Sequence, residues 1–283
     1  MAVEISEFIS DPLVQPGASR RVFAIGDVHG QHGAFVDVLE AMKAAASESA
    51  EPTELVQLGD LIDRGPYSLR CIDEIMKPAS ALGFDVKTVL MANHEQLARI
   101  VMDVDADKID LWLENGARAI FAECGVSEDE SRRMGSTDRA RAMRDCWGET
   151  RLAFLRELQP CRRIGNLIFV HAGLNPDVPK DEFLARPWDY SYRPTRPGFD
   201  EDHWAWIRFP FLNHAGGWGG DLVVHGHSPE PRLIAYEGED PRMTHRIRYD
   251  RLDIDGGAGM SEPVAVAGAE FIDGGYRIFL SRV

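Results

Sequence analysis

The sequence predicts an α/β fold, and three observations support that prediction. First, five short apolar runs of strand length each end abruptly in a cluster of Gly, Asp, Asn or His. Second, an alanine-rich pattern with helical spacing from Ala34 to Ala46 separates the first two runs, as in a β-α-β unit. Third, the chain beyond Arg232 changes to short alternating segments broken by Asp-Gly-Gly turns. Continuous apolar runs are typical of strands that are covered on both faces.

The polar clusters at the ends of these strands are the main functional signal. In an open α/β sheet, ligands bind beyond the carboxyl ends of the strands, so clusters at several such ends can converge on one crevice. The runs and their clusters are Arg21 to Ile25 with Gly26-Asp27-Val28-His29-Gly30, Leu55 to Leu58 with Gly59-Asp60-Leu61-Ile62-Asp63-Arg64-Gly65, Val86 to Met91 with Ala92-Asn93-His94-Glu95, Leu167 to Val170 with His171-Ala172-Gly173, and Leu222 to Val224 with His225-Gly226-His227.

Three further segments complete the predicted organisation. Residues 1–20 are acidic where a secretory signal needs a basic start, so we expect a loose N-terminal tail before one domain over residues 21–283. Residues from about 97 to 160 are charged and helix-favouring, which predicts a helical insertion. Turns at residues 255–257 and 273–275 predict hairpins between antiparallel strands that close the fold.

The composition narrows the classes of function. The chain has 283 residues, of which 44% are hydrophobic, and no apolar stretch is long enough to cross a membrane. A formal net charge of -15 would repel nucleic acid and acidic membranes, so we expect neither as a partner. Any phosphate site must therefore be locally cationic.

The four cysteines lie far apart in the sequence and include no C-x-x-C pair. This spacing predicts neither a disulfide framework nor a zinc knuckle, and it favours a reducing cytoplasm as the location. We expect Cys71 and Cys146 to be small buried hydrophobic residues.

The side chains at the strand ends are suited to hold a pair of divalent metal ions. Two such ions can clamp the attacking and leaving oxygens of a displacement at phosphorus. The mixture of carboxylate, amide and imidazole donors favours manganese, with iron or zinc as alternatives, and no thiolate belongs to the set. The candidate ligands are Asp27, His29, Asp60, Asn93, His171 and His227.

The ordered motifs resemble the phosphoprotein phosphatases, in their bacterial and phage form, within the calcineurin-like metallophosphoesterases. The motifs G-D-x-H-G, G-D-x-x-D-R-G, N-H-E, H-A-G and G-H run in order from Gly26 to His227. The segments Trp112 to Gly116 and Trp206-Ile207-Arg208 also resemble parts of those proteins. The resemblance implies two mixed β-sheets that pack as a sandwich and are flanked by helices, with the metals at one edge.

The resemblance also implies a role for each candidate residue. The roles agree with the side-chain chemistry, because guanidinium groups match phosphate oxygens and an imidazole beside a carboxylate suits a general acid. Asp27 and His29 would hold the first metal, Asp60 would bridge both metals, Asn93, His171 and His227 would hold the second, Arg64 and Arg208 would bind the phosphoryl oxygens, and His94, oriented by Asp63, would protonate the leaving group.

One residue departs from the family's motifs, and another could compete with a candidate metal ligand. Ala92 stands where the family usually has Gly, which would shift the Asn93 loop only if the backbone there needs a positive φ. His225 lies two residues before His227, and we expect it to support the ligands rather than to bind metal.

The resulting hypothesis is a phosphomonoesterase in which a metal-bound hydroxide attacks phosphorus directly. Proteins phosphorylated on serine or threonine are the expected substrates, and dinucleoside polyphosphates are the alternative, since relatives with similar motifs cleave them. A lesser alternative is an inactive scaffold that binds phosphorylated partners. The segment Arg186 to Trp204, rich in aromatic residues and proline, is either a substrate-facing loop or an ordinary surface connection.

Overall fold

Two β-sheets lie at the centre of the structure, a computed structural model that describes residues 2–17, 19–189, 202–230, 245–260 and 264–283. The strands are β1 (Glu4–Ile5), β2 (Ile9–Ser10), β3 (Arg21–Ile25), β4 (Thr53–Gln57), β5 (Val86–Val89), β6 (Cys161–Ile164), β7 (Leu167–Val170), β8 (Leu222–His225), β9 (Arg251–Asp253), β10 (Ala265–Ile272) and β11 (Gly275–Arg282). The helices are α1 (His32–Ser47), α2 (Ser68–Met76), α3 (Asn93–Arg99), α4 (Ile109–Trp112), α5 (Arg118–Glu123), α6 (Glu128–Arg133), α7 (Ser136–Glu157), α8 (Lys180–Leu184) and α9 (Phe209–Leu212).

Both sheets mix parallel and antiparallel pairs. The first has the order β1-β11-β10-β3-β4-β5, with β2 also paired to β11. Within it, β3, β4 and β5 are parallel, whereas β10 is antiparallel to β3 and to β11. The second has the order β6-β7-β8-β9, in which only the β6–β7 pair is antiparallel. The prediction of two mixed sheets flanked by helices is confirmed.

The side chains of β3 show how the layers pack. Successive side chains of a strand point to opposite faces, so one strand can contribute to two cores. Val22 and Ala24 belong to an apolar cluster that includes Phe169 of the second sheet. Phe23, between them, belongs to a different cluster that includes Phe35 of α1. The first sheet is therefore covered by the second sheet on one face and by helices on the other.

A run of helices from α3 to α7 occupies the segment for which the sequence predicts an insertion. α7 is broken at Gly148, whose φ is 70°. The run is tied to α2, because Glu123 accepts a hydrogen bond from the backbone N–H of Leu69 and Arg151 forms an ion pair with Asp73. These contacts hold the helical run against the domain beside the polar ends of the strands.

A disulfide joins Cys124, just after α5, to Cys146 on α7. The prediction that the cysteines form no disulfide is wrong for this pair. Helix packing brings the two residues together across a separation of 22 residues, and spacing in the sequence does not reveal that packing. Cys71 is buried and Cys161 is half-buried, and neither is in a disulfide.

Residues of the predicted tail extend the first sheet. β1 pairs with β11 through Glu4 and Ile5, and β2 pairs with the beginning of the same strand. Residues 4–10 are therefore held by backbone hydrogen bonds rather than loose. Short peptide segments with acidic residues have no strong strand pattern, which is why the sequence alone suggests a tail.

The two predicted C-terminal turns have different outcomes. Asp273 and Gly274 connect β10 and β11 in an antiparallel hairpin, as predicted. The prediction of a hairpin at residues 255–257 is wrong, because β9 lies parallel to β8 in the second sheet and the chain then crosses to the first. Asp255 and the residues after it therefore follow the carboxyl end of a parallel strand, which is the kind of position where ligands bind.

Within the described part of the chain, no helix combines the length and the apolar character that crossing a membrane requires.

Candidate metal and phosphate site

The six candidate metal ligands meet at one edge of the sandwich. Each follows the carboxyl end of a strand, namely β3, β4, β5, β7 or β8, as the sequence predicts. All are deeply buried, and none exposes more than 5% of its surface. The residues are Asp27, His29, Asp60, Asn93, His171 and His227.

Asp60 lies at the centre of this arrangement. Its Oδ2 atom is 3.3 Å from Nε2 of His29 and 3.4 Å from Nε2 of His171. Two groups of donor atoms, each spanning no more than 4.8 Å, share Asp60: one contains His29 and His94, and the other contains His171 and His227. A carboxylate with imidazoles on both sides is placed to bridge two cations.

The histidine rings are oriented in a way that fits metal binding. Nδ1 of His29 lies 2.9 Å from the backbone oxygen of Ile62, and Nδ1 of His171 lies 3.0 Å from that of Leu58. Because each Nδ1–H donates to a carbonyl, the lone pair of each Nε2 faces Asp60. Nε2 of His227 contacts the backbone oxygen of Trp206 at 3.1 Å, which leaves its Nδ1 for the site.

Asn93 and Asp27 complete the cluster. Oδ1 of Asn93 is 2.9 Å from Nε2 of His171, so the amide oxygen joins the second group. Oδ2 of Asp27 is 3.9 Å from Nε2 of His29, and both carboxylate oxygens accept a hydrogen bond from the backbone N–H of His227 at 3.2 Å. The donor set on each side of Asp60 is thus oxygen and imidazole, which suits a divalent cation of the manganese, iron or zinc type.

The carboxylates at the site have opposite pKa shifts. Burial raises the pKa of Asp27 well above its usual value, and the charges of Asp255 and Asp60 add to the effect. Burial also acts on Asp60, but the positive charge of the imidazoles of His171, His94 and His29 in their protonated form outweighs it and lowers the pKa of Asp60 well below its usual value. Asp60 is therefore ionised, and cations placed beside Asp27 would relieve the repulsion that raises its pKa.

His94 forms a buried pair with Asp63. Nδ1 of His94 lies 2.7 Å from Oδ2 of Asp63, while its Nε2 is buried, has no hydrogen-bond partner among the described residues and lies 4.0 Å from Oδ2 of Asp60. Burial lowers the pKa of His94 well below its usual value. A dianionic phosphoryl group in the cleft would raise that pKa, because opposite charge favours the protonated imidazole.

Glu95, the last residue of the N-H-E motif, holds the backbone that carries Asp60. Its two carboxylate oxygens accept hydrogen bonds from the backbone N–H groups of Asp60 and Leu61 at 2.9 and 2.8 Å. Burial raises the pKa of Glu95 to about 7. The sequence showed that Glu95 belongs to the N-H-E motif but gave it no role. The structure shows that it binds the backbone of the turn that contains Asp60.

Several of these residues adopt a left-handed backbone that side chains other than glycine rarely take. Such conformations persist only where the surroundings enforce them, and they collect at functional sites. The residues with positive φ at the site are His29 (45°), Asp60 (53°), Asp63 (70°), Arg64 (66°) and His227 (69°).

The two candidate phosphate-binding arginines lie at the mouth of the site. Nη1 of Arg64 is 3.1 Å from Nε2 of His29, and the side chain is exposed at the rim. Arg208 precedes α9, is half-buried, and its charge contributes, after burial, to the low pKa of His227. Both guanidinium groups therefore add positive charge beside the histidines.

The loop after β9, for which the sequence predicted a hairpin, forms one wall of the site. Asp255 is fully buried beside Asp27, and burial raises its pKa. Gly259 packs so closely that a Cβ atom there would collide with Arg64 and His29. A sixth polar cluster at a strand end, Asp253-Ile254-Asp255-Gly256-Gly257, is the signal that could have identified this wall.

Three other expectations concern the surroundings of the site. Ala92 has an extended backbone with φ −105° and ψ 177°, so its Cβ causes no strain. His225 belongs to neither group of donor atoms, contacts the backbone oxygen of Gly226 through Nδ1, and has a pKa lowered to about 3 by burial. Most of the segment Arg186 to Trp204 lies outside the described residues, which omit 190–201.

Known proteins share both the sequence pattern and the fold. The sequence profile of calcineurin-like phosphoesterases matches residues 20–255. Serine/threonine-protein phosphatase 1 of Salmonella typhimurium is 35% identical over 98 residues, which are 34% of this chain and 39% of that protein. A symmetrical bis(5'-nucleosyl)-tetraphosphatase of Delftia acidovorans is 30% identical over 111 residues, 33% of this chain and 36% of that protein.

These alignments span less than half of the length of either curated relative. Among solved structures, a protein provisionally assigned as a diadenosine tetraphosphatase has a TM-score of 0.52 and 19% identity. The match covers 97% of this chain and 98% of that one, and it shows the shared fold.

Proposed function

Since this chain belongs to the calcineurin-like phosphoesterase family, we propose that it hydrolyses phosphate monoesters with two divalent metal ions and that its substrates are proteins phosphorylated on serine or threonine. The observation that carries the proposal is the pair of donor groups that share Asp60, together with the contact of His94, a member of the first group, with Asp63. This arrangement combines a place for two cations with a group that can deliver a proton.

In the proposed site, Asp27 and His29 would hold the first cation, Asp60 would be shared by both, and Asn93, His171 and His227 would hold the second. Two bound cations would acidify water near neutral pH and neutralise negative charge on the phosphoryl group. Manganese is the ion that we propose, because the donors are oxygen and imidazole atoms, and iron or zinc would fit the same donors.

The other side chains of the proposed site bind the phosphoryl group and donate the proton. Arg64 and Arg208 bind the equatorial phosphoryl oxygens, because a guanidinium fork matches two such oxygens at once. His94 gives a proton from Nε2 to the leaving oxygen as its bond to phosphorus breaks, and Asp63 keeps Nδ1 protonated. Electrostatic stabilisation of this kind is usually the largest contribution to catalysis at phosphorus.

The substrate preference is supported by the phosphatase of Salmonella typhimurium, which has the higher identity of the two curated relatives. Two exposed aromatic residues give physical support as well. Tyr67 and Phe209, each close in sequence to one of the two arginines, are 44% and 45% exposed. Exposed aromatic side chains beside a phosphate site suit an extended polypeptide better than a small polar ligand.

A comparison of two substrates tests this preference. Chelator-treated protein reloaded with manganese would be assayed in parallel on a phosphoserine peptide and on diadenosine tetraphosphate. We expect kcat/KM for the peptide to be at least about tenfold higher. The opposite ranking would overturn the assignment as a protein phosphatase and favour the second candidate, a dinucleoside polyphosphate hydrolase, which the tetraphosphatase relative of Delftia acidovorans supports.

The inactive scaffold is the lesser alternative, and release of phosphate tests it. We expect manganese-dependent release from p-nitrophenyl phosphate that Asp60→Asn abolishes. Asp181→Asn is the matched control, because that carboxylate is 90% exposed on α8 and forms an ion pair with Arg163. No release by the manganese-loaded wild type would support the scaffold instead.

A further inference from the structure

Trp112, at the end of α4, is buried in the hydrophobic core and also makes a hydrogen bond to a residue of the candidate site. Its Nε1–H donates a hydrogen bond of 2.7 Å to Oδ2 of Asp63. The same oxygen accepts from Nδ1 of His94 at 2.7 Å. One carboxylate oxygen therefore receives both donors, and all three side chains are fully buried.

The orientation of the Asp63 carboxylate depends on this indole. Oδ1 of Asp63 is buried and has no hydrogen-bond partner among the described residues. The backbone N–H of Asp63 is held by Ser68 Oγ at 3.0 Å, which fixes the main chain but not the rotation of the carboxylate. Without the Trp112 N–H, His94 would be the one remaining donor, among the described residues, to a carboxylate that could then rotate in a buried space.

The segment around Trp112 also reaches the neighbouring phosphate-binding residue. The backbone oxygen of Gly116 accepts a hydrogen bond of 3.0 Å from the backbone N–H of Arg64. A short stretch of the helical run therefore contacts both Asp63 and Arg64, which are adjacent in the second motif. This stretch connects α4 and the residues after it to the turn that carries Asp63 and Arg64.

We propose that Trp112 is a positioning residue for proton transfer, which acts by fixing the Asp63 carboxylate that orients the His94 ring. The inference rests on the proposed function, in which His94 protonates the leaving group. A hydrogen bond to a buried carboxylate is strong and directional, so its loss releases the geometry on which a general acid depends.

Trp112→Phe tests the proposal, because phenylalanine keeps an aromatic ring in the core and removes the N–H. The chain offers a matched control in Trp147, on α7 of the same helical run, which is 1% exposed and whose Nε1 has no hydrogen-bond partner among the described residues. Both variants would be loaded with manganese and assayed on a phosphoserine peptide, which has a poor leaving group, and on p-nitrophenyl phosphate, which has a good one.

We expect Trp112→Phe to lower kcat on the phosphoserine peptide by about tenfold or more, with KM unchanged and a much smaller loss on p-nitrophenyl phosphate. Trp147→Phe should change neither rate by more than about twofold. Equal losses on both substrates, or equal effects of the two substitutions, would show that Trp112 serves packing alone and would overturn the proposal.

A double variant separates this inference from the proposed function. If Trp112 acts through His94, adding Trp112→Phe to His94→Asn should cause no further loss on the phosphoserine peptide. Multiplying losses would overturn the inference and leave the role of His94 intact. If His94→Asn itself shows no dependence on the leaving group, the proton donor of the proposed function is wrong, and this inference is wrong with it.

A second replacement covers the case in which Trp112→Phe does not fold. Benzothienylalanine placed at position 112 keeps the shape of the bicyclic ring and replaces the N–H by sulfur. We expect the same selective loss on the phosphoserine peptide together with the circular dichroism spectrum of the wild type. Full activity in this folded variant would overturn the proposal.

Discussion

Asp60 and Asp63 lie three residues apart in one turn, yet their environments give them different chemistry. The imidazoles around Asp60 hold its pKa well below the usual value despite burial, whereas burial raises the pKa of Asp63 well above it. The lowered pKa favours the ionised form of Asp60, which suits the binding of cations. Asp63 is engaged by two hydrogen-bond donors on one oxygen and suits the task of orienting His94.

The role proposed for His94 gives a residue-scale prediction. His94→Asn keeps a polar side chain of smaller size but removes the proton that would reach the leaving oxygen. We expect kcat to fall by about 10²- to 10⁴-fold on a phosphoserine peptide and far less on p-nitrophenyl phosphate, whose leaving group needs no proton. Steady-state kinetics on both substrates measure the difference, and equal losses would contradict the assignment of His94 as the acid.

The wall formed by residues 256–260 gives a second prediction at this scale. In Gly259→Ala, the added methyl group would displace Arg64 and His29, so both phosphate binding and metal binding should suffer. We expect kcat/KM to fall by about 10- to 100-fold on every substrate, whatever its leaving group. Gly33→Ala is the control, because a Cβ there meets no atom within 4 Å. Unchanged activity in Gly259→Ala would contradict the close packing of this wall.

At the scale of residues, the sequence revealed ligands that follow a strand in a compact motif. Asp27, Asp60 and His171 could be predicted because an apolar run and the cluster after it are adjacent in the chain. Trp112 and Gly116 could not be assigned in this way, because their contacts with Asp63 and Arg64 join segments that are distant in sequence. Packing, rather than a local pattern, determines what those residues touch.

Among the elements, the disulfide between Cys124 and Cys146 clamps the end of α5 to α7. It closes a loop with a sequence separation of 22, and in the chain-entropy account a loop of this size contributes about 3 kcal/mol to the free energy of unfolding. We therefore expect Cys124→Ser/Cys146→Ser to melt several degrees below the oxidised wild type.

Thermal unfolding with and without reductant measures this effect. Reductant should lower the melting temperature of the wild type and leave the double variant unchanged. Cys161→Ser is the control, because Cys161 is half-buried and in no disulfide, and it should keep the response to reductant. A double variant as stable as the oxidised wild type would show that the clamp contributes nothing to stability.

The elements also show where sequence reasoning is limited. β3 and β7 have the predicted bounds, because a continuous apolar run followed by glycine or histidine is a clear signal. β9 has only three residues and is followed, after Ile254, by Asp255-Gly256-Gly257, the same residue types that form the turn of the β10–β11 hairpin. Its partner is β8, and a local pattern cannot reveal which of the two sheets a short strand joins.

For the whole molecule, two cations bound only by the folded state should stabilise it. At about 100 times its dissociation constant, each bound ion adds about 2.7 kcal/mol to the free energy of unfolding. We therefore expect manganese to raise the melting temperature of chelator-treated protein by several degrees and Asp60→Asn to remove most of that rise. His225→Asn should keep the manganese response, because His225 lies outside both donor groups.

Calorimetry of the three proteins, each with chelator and with manganese, provides the comparison. A manganese response in Asp60→Asn equal to that of the wild type would contradict the placement of the ions around Asp60. Loss of the response in His225→Asn would instead make His225 a ligand, against the geometry at the end of β8.

The arrangement of the whole fold accounts for the site. Parallel strands from two sheets direct their carboxyl ends to one edge, and the helical run from α3 to α7 brings Trp112 and Gly116 to the same place. The sequence predicted the convergence because ligands bind beyond such strand ends. It could not predict that Trp112 of α4 would support the pair of Asp63 and His94, since that contact depends on tertiary packing.

Anomalous X-ray diffraction from manganese-soaked crystals measures the central claim most directly. We expect two manganese peaks about 3.5–4 Å apart. Both should lie within bonding distance of the Asp60 carboxylate, one on the side of His29 and the other on the side of His171 and His227. A crystal with no manganese peak beside Asp60, or with His171 and His227 turned away from it, would contradict the account.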